Sequence, residues 1–119
     1  MDEYIDLYHL SEINGVLAIL LFGSKAKGES MTRDVDVCII APEVNDKAGL
    51  LLEVFSRVNS QKYDVWLFEE LPFYMKAEII KTHKVVWCKD IDKLYNYFAD
   101  LMKIWRDQEV RIKTYAKEL

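Results

Sequence analysis

The sequence predicts an α/β (α+β) fold: a small mixed sheet of about four strands, flanked by helices and followed by a long C-terminal helix. Three observations predict it. Short apolar runs sized for buried strands recur at residues 16–22, 35–41, 63–68 and 85–88. Segments with helical apolar spacing alternate with them, and the last such segment runs from about residue 91 to the end.

Ile5, Leu7, Tyr8 and Leu10 suggest a short N-terminal helix, stopped by Asn14-Gly15. Residues 16–22 (VLAILLF) form an unbroken apolar run, suited to a strand covered on both faces. Gly23 stops it, and Ser24 can cap a short helix through about Gly28. A turn over 31–33 leads into the second strand (VDVCIIA), which Pro42 ends. Asp46 can cap a helix over about 47–59, whose Leu50, Leu51, Val54, Phe55 and Val58 make an apolar stripe. The third strand is YDVWLF; Pro72 suits the first turn of a helix that ends near His83, and VVWC is a shorter fourth strand. In the last helix Leu94, Phe98, Leu101, Trp105, Ile112 and Tyr115 keep four-three spacing, broken at Gln108.

With 119 residues the chain suits one compact domain, a core over 14–90 plus a C-terminal helix over 91–119. No stretch has the length and apolarity of a membrane span, and the acidic start lacks the basic and apolar segments of a signal peptide. Cys38 and Cys88 sit in strand-like runs and read as buried thiols in a reducing cytoplasm. The net charge of −4 does not suit a general nucleic-acid binder. Its distribution is uneven: residues 1–72 carry 6 basic and 13 acidic side chains, and residues 73–119 carry 10 and 7. The basic excess of the second part is a solvated face or a docking surface for an acidic partner.

The chemistry concentrates in residues 22–36, FGSKAKGESMTRDVD. A glycine at a strand-to-helix corner lets backbone approach a ligand, and the amides of a following helix form a phosphate seat. Ser24 adds a hydroxyl donor there, and Lys25 and Lys27 add positive charge. Asp34 and Asp36, two apart on a strand, face the same side, while Val35 and Val37 face the core. Two carboxylates so close repel unless a cation lies between them, and such a pair suits Mg2+. Asp64 offers a third carboxylate on another strand, and three converging carboxylates can hold two metals for a nucleoside triphosphate. Residues 23–30 nearly match the P-loop pattern, but Glu29 stands where that motif needs its phosphate-binding lysine.

At these residues the chain resembles the minimal nucleotidyltransferases of the DNA polymerase beta-like superfamily. The resemblance implies a polymerase-beta-like palm, with triphosphate bound by Gly23 and Ser24, magnesium by Asp34 and Asp36, and the acceptor hydroxyl activated with help from Asp64. Lys25-Ala-Lys27-Gly28 looks like the family's Arg-x-Arg-Gly with lysines substituted, which keeps charge but loses a planar two-pronged grip. Nine residues separate Ser24 from Asp34, one fewer than in many members, and Arg33 stands where a serine is common. The segments 63–68 (YDVWLF), Ala77-Glu78-Ile79-Ile80 and 84–90 (KVVWCKD) resemble small prokaryotic members, many of which are antitoxins of HEPN-domain RNase toxins. That likeness implies transfer of AMP from ATP to a toxin tyrosine. Two alternatives stand beside it: an antitoxin that neutralises by contact alone, and an enzyme acting on a small molecule or an RNA end.

Among other residues, His9 and His83 suit surface or helix-capping roles, and Glu69-Glu70 a solvated turn. Trp66 and Phe68 share Asp64's face; they pack under the terminal helix, stack an adenine or line an acceptor cleft. The several apolar faces of that helix hint at homo- or hetero-oligomeric contact with a protein partner.

Overall fold

In the computed structural model, residues 4–23, 35–59 and 61–118 are described, with side chains as far as residue 107. The expected helix at 24–28, the turn at 31–33 and the side chains of Ile112 and Tyr115 lie outside the described residues. The chain begins with a 3-10 helix over Ile5–Glu12, and the four strands follow as β1 (Ala18–Phe22), β2 (Val35–Ile40), β3 (Tyr63–Leu67) and β4 (Lys84–Cys88). Helices α1 (Lys47–Arg57), α2 (Phe73–Thr82) and α3 (Ile91–Glu118) alternate with the later strands.

The sheet is mixed, in the order β3-β2-β1-β4. β1 pairs antiparallel with β2 and β4, while β2 and β3 run parallel. Parallel neighbours need a crossover connection, and α1 supplies it. Its start is fixed by Asp46, whose Oδ1 accepts from the Gly49 amide at 2.9 Å.

Alternation along each strand sends side chains to two separate cores. On one face Ile19, Leu21, Val37 and Ile39 pack with Leu7 and Leu10 of the 3-10 helix and with Leu50 and Val54 of α1. On the other, Ala18, Leu20, Cys38 and Ile40 pack with Ile79 of α2 and Leu94 and Phe98 of α3. Central strand β1 is therefore apolar throughout because both of its faces are covered. Of the expected α1 stripe, Leu50 and Val54 are buried and Leu51 and Val58 pack against the same core, whereas Phe55 points outward and is 44% exposed.

Three further expectations change. Phe68 leaves β3 and opens a 3-10 turn over Phe68–Glu70, with its ring buried against Tyr97 and Phe98. That turn carries Glu69 inward instead of into solvent. Its carboxylate accepts from the Ala41 amide at 3.0 Å and from the Tyr97 hydroxyl at 2.9 Å, with the Lys47 ammonium 4.0 Å away. Burial, reinforced by the negative charge of Glu69, pushes both the Cys38 thiol and the Tyr97 phenol well above their ordinary values. Both cysteines are free; Cys38 is buried and Cys88 only partly so. His83 does cap a helix: its Nδ1 lies 3.0 Å from the carbonyl oxygens of Ile79 and of Ile80 at the end of α2.

Candidate active site

The end of β1, the start of β2 and the start of β3 lie side by side at one end of the sheet. In the strand register Phe22 opposes Asp36, and Asp36 opposes Asp64. Neighbouring strands lie about 4.8 Å apart, so two carboxylates in register emerge side by side on the same face. They emerge on the face that carries α2 and α3, while Val35 and Val37 turn to the opposite core. Asp64 is exposed and Asp36 is partly so.

Gly23 ends β1 with φ +75°, a left-handed conformation that L side chains rarely adopt. A Cβ built on Gly23 would stand 2.9 Å from Oδ2 of Asp36. The corner backbone thus comes right up to the carboxylate, and only the lack of a side chain permits it. On the other side of the same carboxylate, the Trp66 indole nitrogen donates to Oδ1 at 3.3 Å. The Trp66 ring meets Phe22 edge-on, with centroids 6.4 Å apart. Asp36 is therefore bracketed by the β1 corner and by the indole of β3.

Of the residues singled out from the sequence, Gly23, Asp36 and Asp64 come together here. Ser24, Lys25, Lys27 and Asp34 lie outside the described residues. Among the described residues no group of three or more His, Cys, Asp or Glu side chains forms a metal site. The donor set that is present, two adjacent carboxylates open to solvent, fits a hard divalent cation that keeps water and phosphate oxygens as its remaining ligands.

Trp66 does not pack under α3. It stays 39% exposed and turns toward Asp36, whereas Phe68 takes the buried place beneath the helix. The hydrogen bond from Trp66 escaped sequence reasoning because it depends on β2 and β3 being parallel neighbours in this register. The signal that could have found it is the same-face pair Asp64 and Trp66, with α1 as the crossover that brings β3 beside β2.

Beside this corner lies an open cavity of about 380 Å³ lined by Phe22, Tyr74, Met75, Glu78 and Ile79. Its walls come from β1 and α2. Among the described residues no helix is long and apolar enough to cross a membrane.

A mixed four-stranded sheet with a glycine corner facing strand-borne carboxylates defines a nucleotidyltransferase architecture. A model of the family "Polymerase beta, Nucleotidyltransferase" matches residues 7–92, and the chain belongs to that family. A relative from Methanocaldococcus jannaschii, named as the candidate protein adenylyltransferase MJ1547, is 43% identical over 99 residues, covering 82% of this chain and 76% of that protein. Among solved structures, a chain of a toxin–antitoxin complex with AMP-PNP superposes with a TM-score of 0.72 at 15% identity, covering 98% of each chain. A chain from the complex of tri-AMPylated Shewanella oneidensis HEPN toxin with its MNT antitoxin gives 0.63 at 14% identity, again over 98% of each chain. At such identities these two likenesses establish the fold.

Proposed function

We propose that the protein transfers AMP from ATP to a protein hydroxyl, a tyrosine of a HEPN-type toxin, and silences that toxin in the cytoplasm. The observation that carries the reading is the register pair Asp36–Asp64 on one face, beside the left-handed Gly23 corner. The relative named for protein adenylylation supports the choice of acceptor class. The likeness to chains of toxin–antitoxin complexes supports the choice of partner.

In this reading Gly23, Ser24, Lys25 and Lys27 seat the triphosphate through backbone amides, a hydroxyl and two ammonium groups. Asp34, Asp36 and Asp64 would hold Mg2+, which when bound supplies positive charge for the triphosphate and lowers the barrier to pyrophosphate departure. The acceptor oxygen attacks the α-phosphorus in line. An O–P bond to the acceptor forms, the bond from the α-phosphorus to the bridging oxygen breaks, and pyrophosphate leaves. Asp64, the more exposed carboxylate, receives the hydroxyl proton. Most of the rate gain comes from positioning, because little covalent chemistry falls to the protein. The exposed apolar side chains of α3, with Ile91 and Tyr95 at 44% and 50% exposed on one side and Ile104 at 46% on the other, are offered to the partner.

The test is to incubate the protein with the product of the adjacent reading frame, ATP and magnesium, and to weigh that product by mass spectrometry. The expected result is added AMP on a tyrosine, lost when Asp34→Asn and Asp36→Asn are combined. No added mass, or addition that persists in the double variant, would overturn the reading. Neutralisation by the double variant without added mass would point to inhibition by contact.

A further inference from the structure

β3 lies at one edge of the sheet, and among the described residues only β2 pairs with it. The Val35 amide donates to the Lys62 carbonyl at 3.0 Å, which sets the pattern of that parallel pair. Residues 62, 64 and 66 turn their backbone groups toward β2, and the residues between them turn theirs outward. Among the described residues, the N–H and C=O of Val65 and the N–H of Leu67 meet no backbone partner there. We propose that this edge takes an extended segment of the acceptor protein as an added antiparallel strand, with the acceptor tyrosine opposite Asp64. The inference rests on the transferase reading above and deepens it by naming how the acceptor is held.

The state of the edge is the first argument. Sheet edges are commonly blunted by proline, by lysine, by a bulge or by a covering element. Tyr63–Leu67 (YDVWL) has neither proline nor lysine, and its register with β2 runs without a shift. The opposite edge strand, β4, begins with Lys84, touches the 3-10 helix and pairs with β1 across a register shift at Ile19 and Leu20. The edge left open is thus the one that carries a site carboxylate. Such an edge supplies main-chain hydrogen bonds, and alternate side chains of the added strand supply specificity.

Register is the second. Side chains directly opposite on neighbouring strands share a face. A residue opposite Asp64 therefore stands on the face that carries Asp64, Asp36 and Trp66. Asp64 is exposed and Trp66 is 39% exposed, so this face is open above β3. A tyrosine side chain is longer than one strand spacing of about 4.8 Å, so its hydroxyl reaches over β3 to the Asp36–Asp64 pair. A serine there ends beside Asp64, one strand short of Asp36. The residues flanking the tyrosine point to the other face, where Val65 packs on the core of Leu50 and Val54. Those positions suit apolar, β-branched side chains. The transfer step is unchanged: the phenol oxygen bonds to the α-phosphorus, its proton passes to Asp64, and pyrophosphate leaves.

Short synthetic peptides with a central tyrosine, offered with ATP and magnesium beside N-acetyltyrosine amide, test this. Peptides with valine or isoleucine on both sides of the tyrosine should take AMP with kcat/KM about tenfold or more above the amide. N-methylation of the residue before the tyrosine, which bonds to Val65, should raise KM about tenfold, the scale of one or two lost hydrogen bonds. N-methylation of the tyrosine itself, whose N–H points away from β3, should change KM less than about twofold. Amide exchange followed by NMR with the same peptides, without ATP, reads binding alone. Val65 should become protected, while Asp64 and Trp66, already bonded to β2, should change little. No gain over the amide, equal effects of the two N-methyl groups, or an unprotected Val65 would overturn the inference. So would Val65 protection in the protein alone that rises with concentration together with a dimer in sedimentation, which would give the edge to a second copy. Val65 protection by peptides that take no AMP removes only the transferase reading, and transfer indifferent to N-methylation removes only this one.

Discussion

The Trp66 indole donates to Oδ1 of Asp36 across 3.3 Å, reaching from β3 to its parallel neighbour β2. This bond orients the carboxylate, because the Gly23 backbone stands close to the second oxygen. Trp66→Phe keeps a ring beside Phe22 and removes the donor. The loss of one such bond at a partly exposed site, about 1 kcal/mol, should raise the magnesium concentration for half-maximal AMP transfer about fivefold. Thermal unfolding, followed in parallel, should stay within about 2 °C of the wild type, since a partly exposed ring is retained.

Gly23→Ala tests the corner itself. The new methyl would meet Asp36 Oδ2 at 2.9 Å and force a side chain into φ +75°. Each kind of strain costs on the order of 1 kcal/mol or more. Urea unfolding should show a stability loss of about 1–3 kcal/mol, and AMP transfer should fall further than that loss explains, because the carboxylate has moved.

Asp64→Asn separates chemistry from stability. Asp64 is exposed and stands in register with a second acidic residue, Asp36, so among the described residues its charge faces a like charge. The unfolding midpoint should hold or rise slightly. The transfer rate, measured with radiolabelled ATP, should fall by roughly 100-fold or more, the scale of losing a positioned general base.

Tyr97 makes a prediction about alkaline pH. Burial first, then the charge and hydrogen bond of Glu69, hold its phenol pKa above the ordinary value of 10.0. A folded pKa above the unfolded one means that the folded state keeps a proton which the unfolded chain releases. The stabilisation is complete below the ordinary phenol value and is lost as pH rises through and beyond it. Stability measured by urea at stepped pH should therefore fall above pH 10 more steeply in the wild type than in Tyr97→Phe.

The parts of this molecule that were legible in its sequence are those set by local pattern. The apolar run of β1 announces a strand covered on both faces, and Asp46 announces the start of α1. The glycine corner and the two acidic strand starts announce the place where Gly23, Asp36 and Asp64 meet. What stayed hidden depends on which strands become neighbours. Glu69 looks like a solvated turn residue until Phe68 leaves the strand and rotates it toward Ala41 and Tyr97. Trp66 looks like core until Phe68 takes the place beneath α3 and leaves the indole beside Asp36. Tyr74 and Glu78 look like ordinary helix surface until α2 lies against the end of β1.

The Glu69 contact has a mechanical consequence. β2 carries Asp36 near one end, and about 16 Å further along, at ~3.3 Å per residue, the Ala41 amide is tied through Glu69 to the hydroxyl of Tyr97 on α3. The tie anchors β2 at the end opposite Asp36. The helix whose exposed residues a partner would meet is therefore joined, through a single partly buried carboxylate, to the strand that carries the acid.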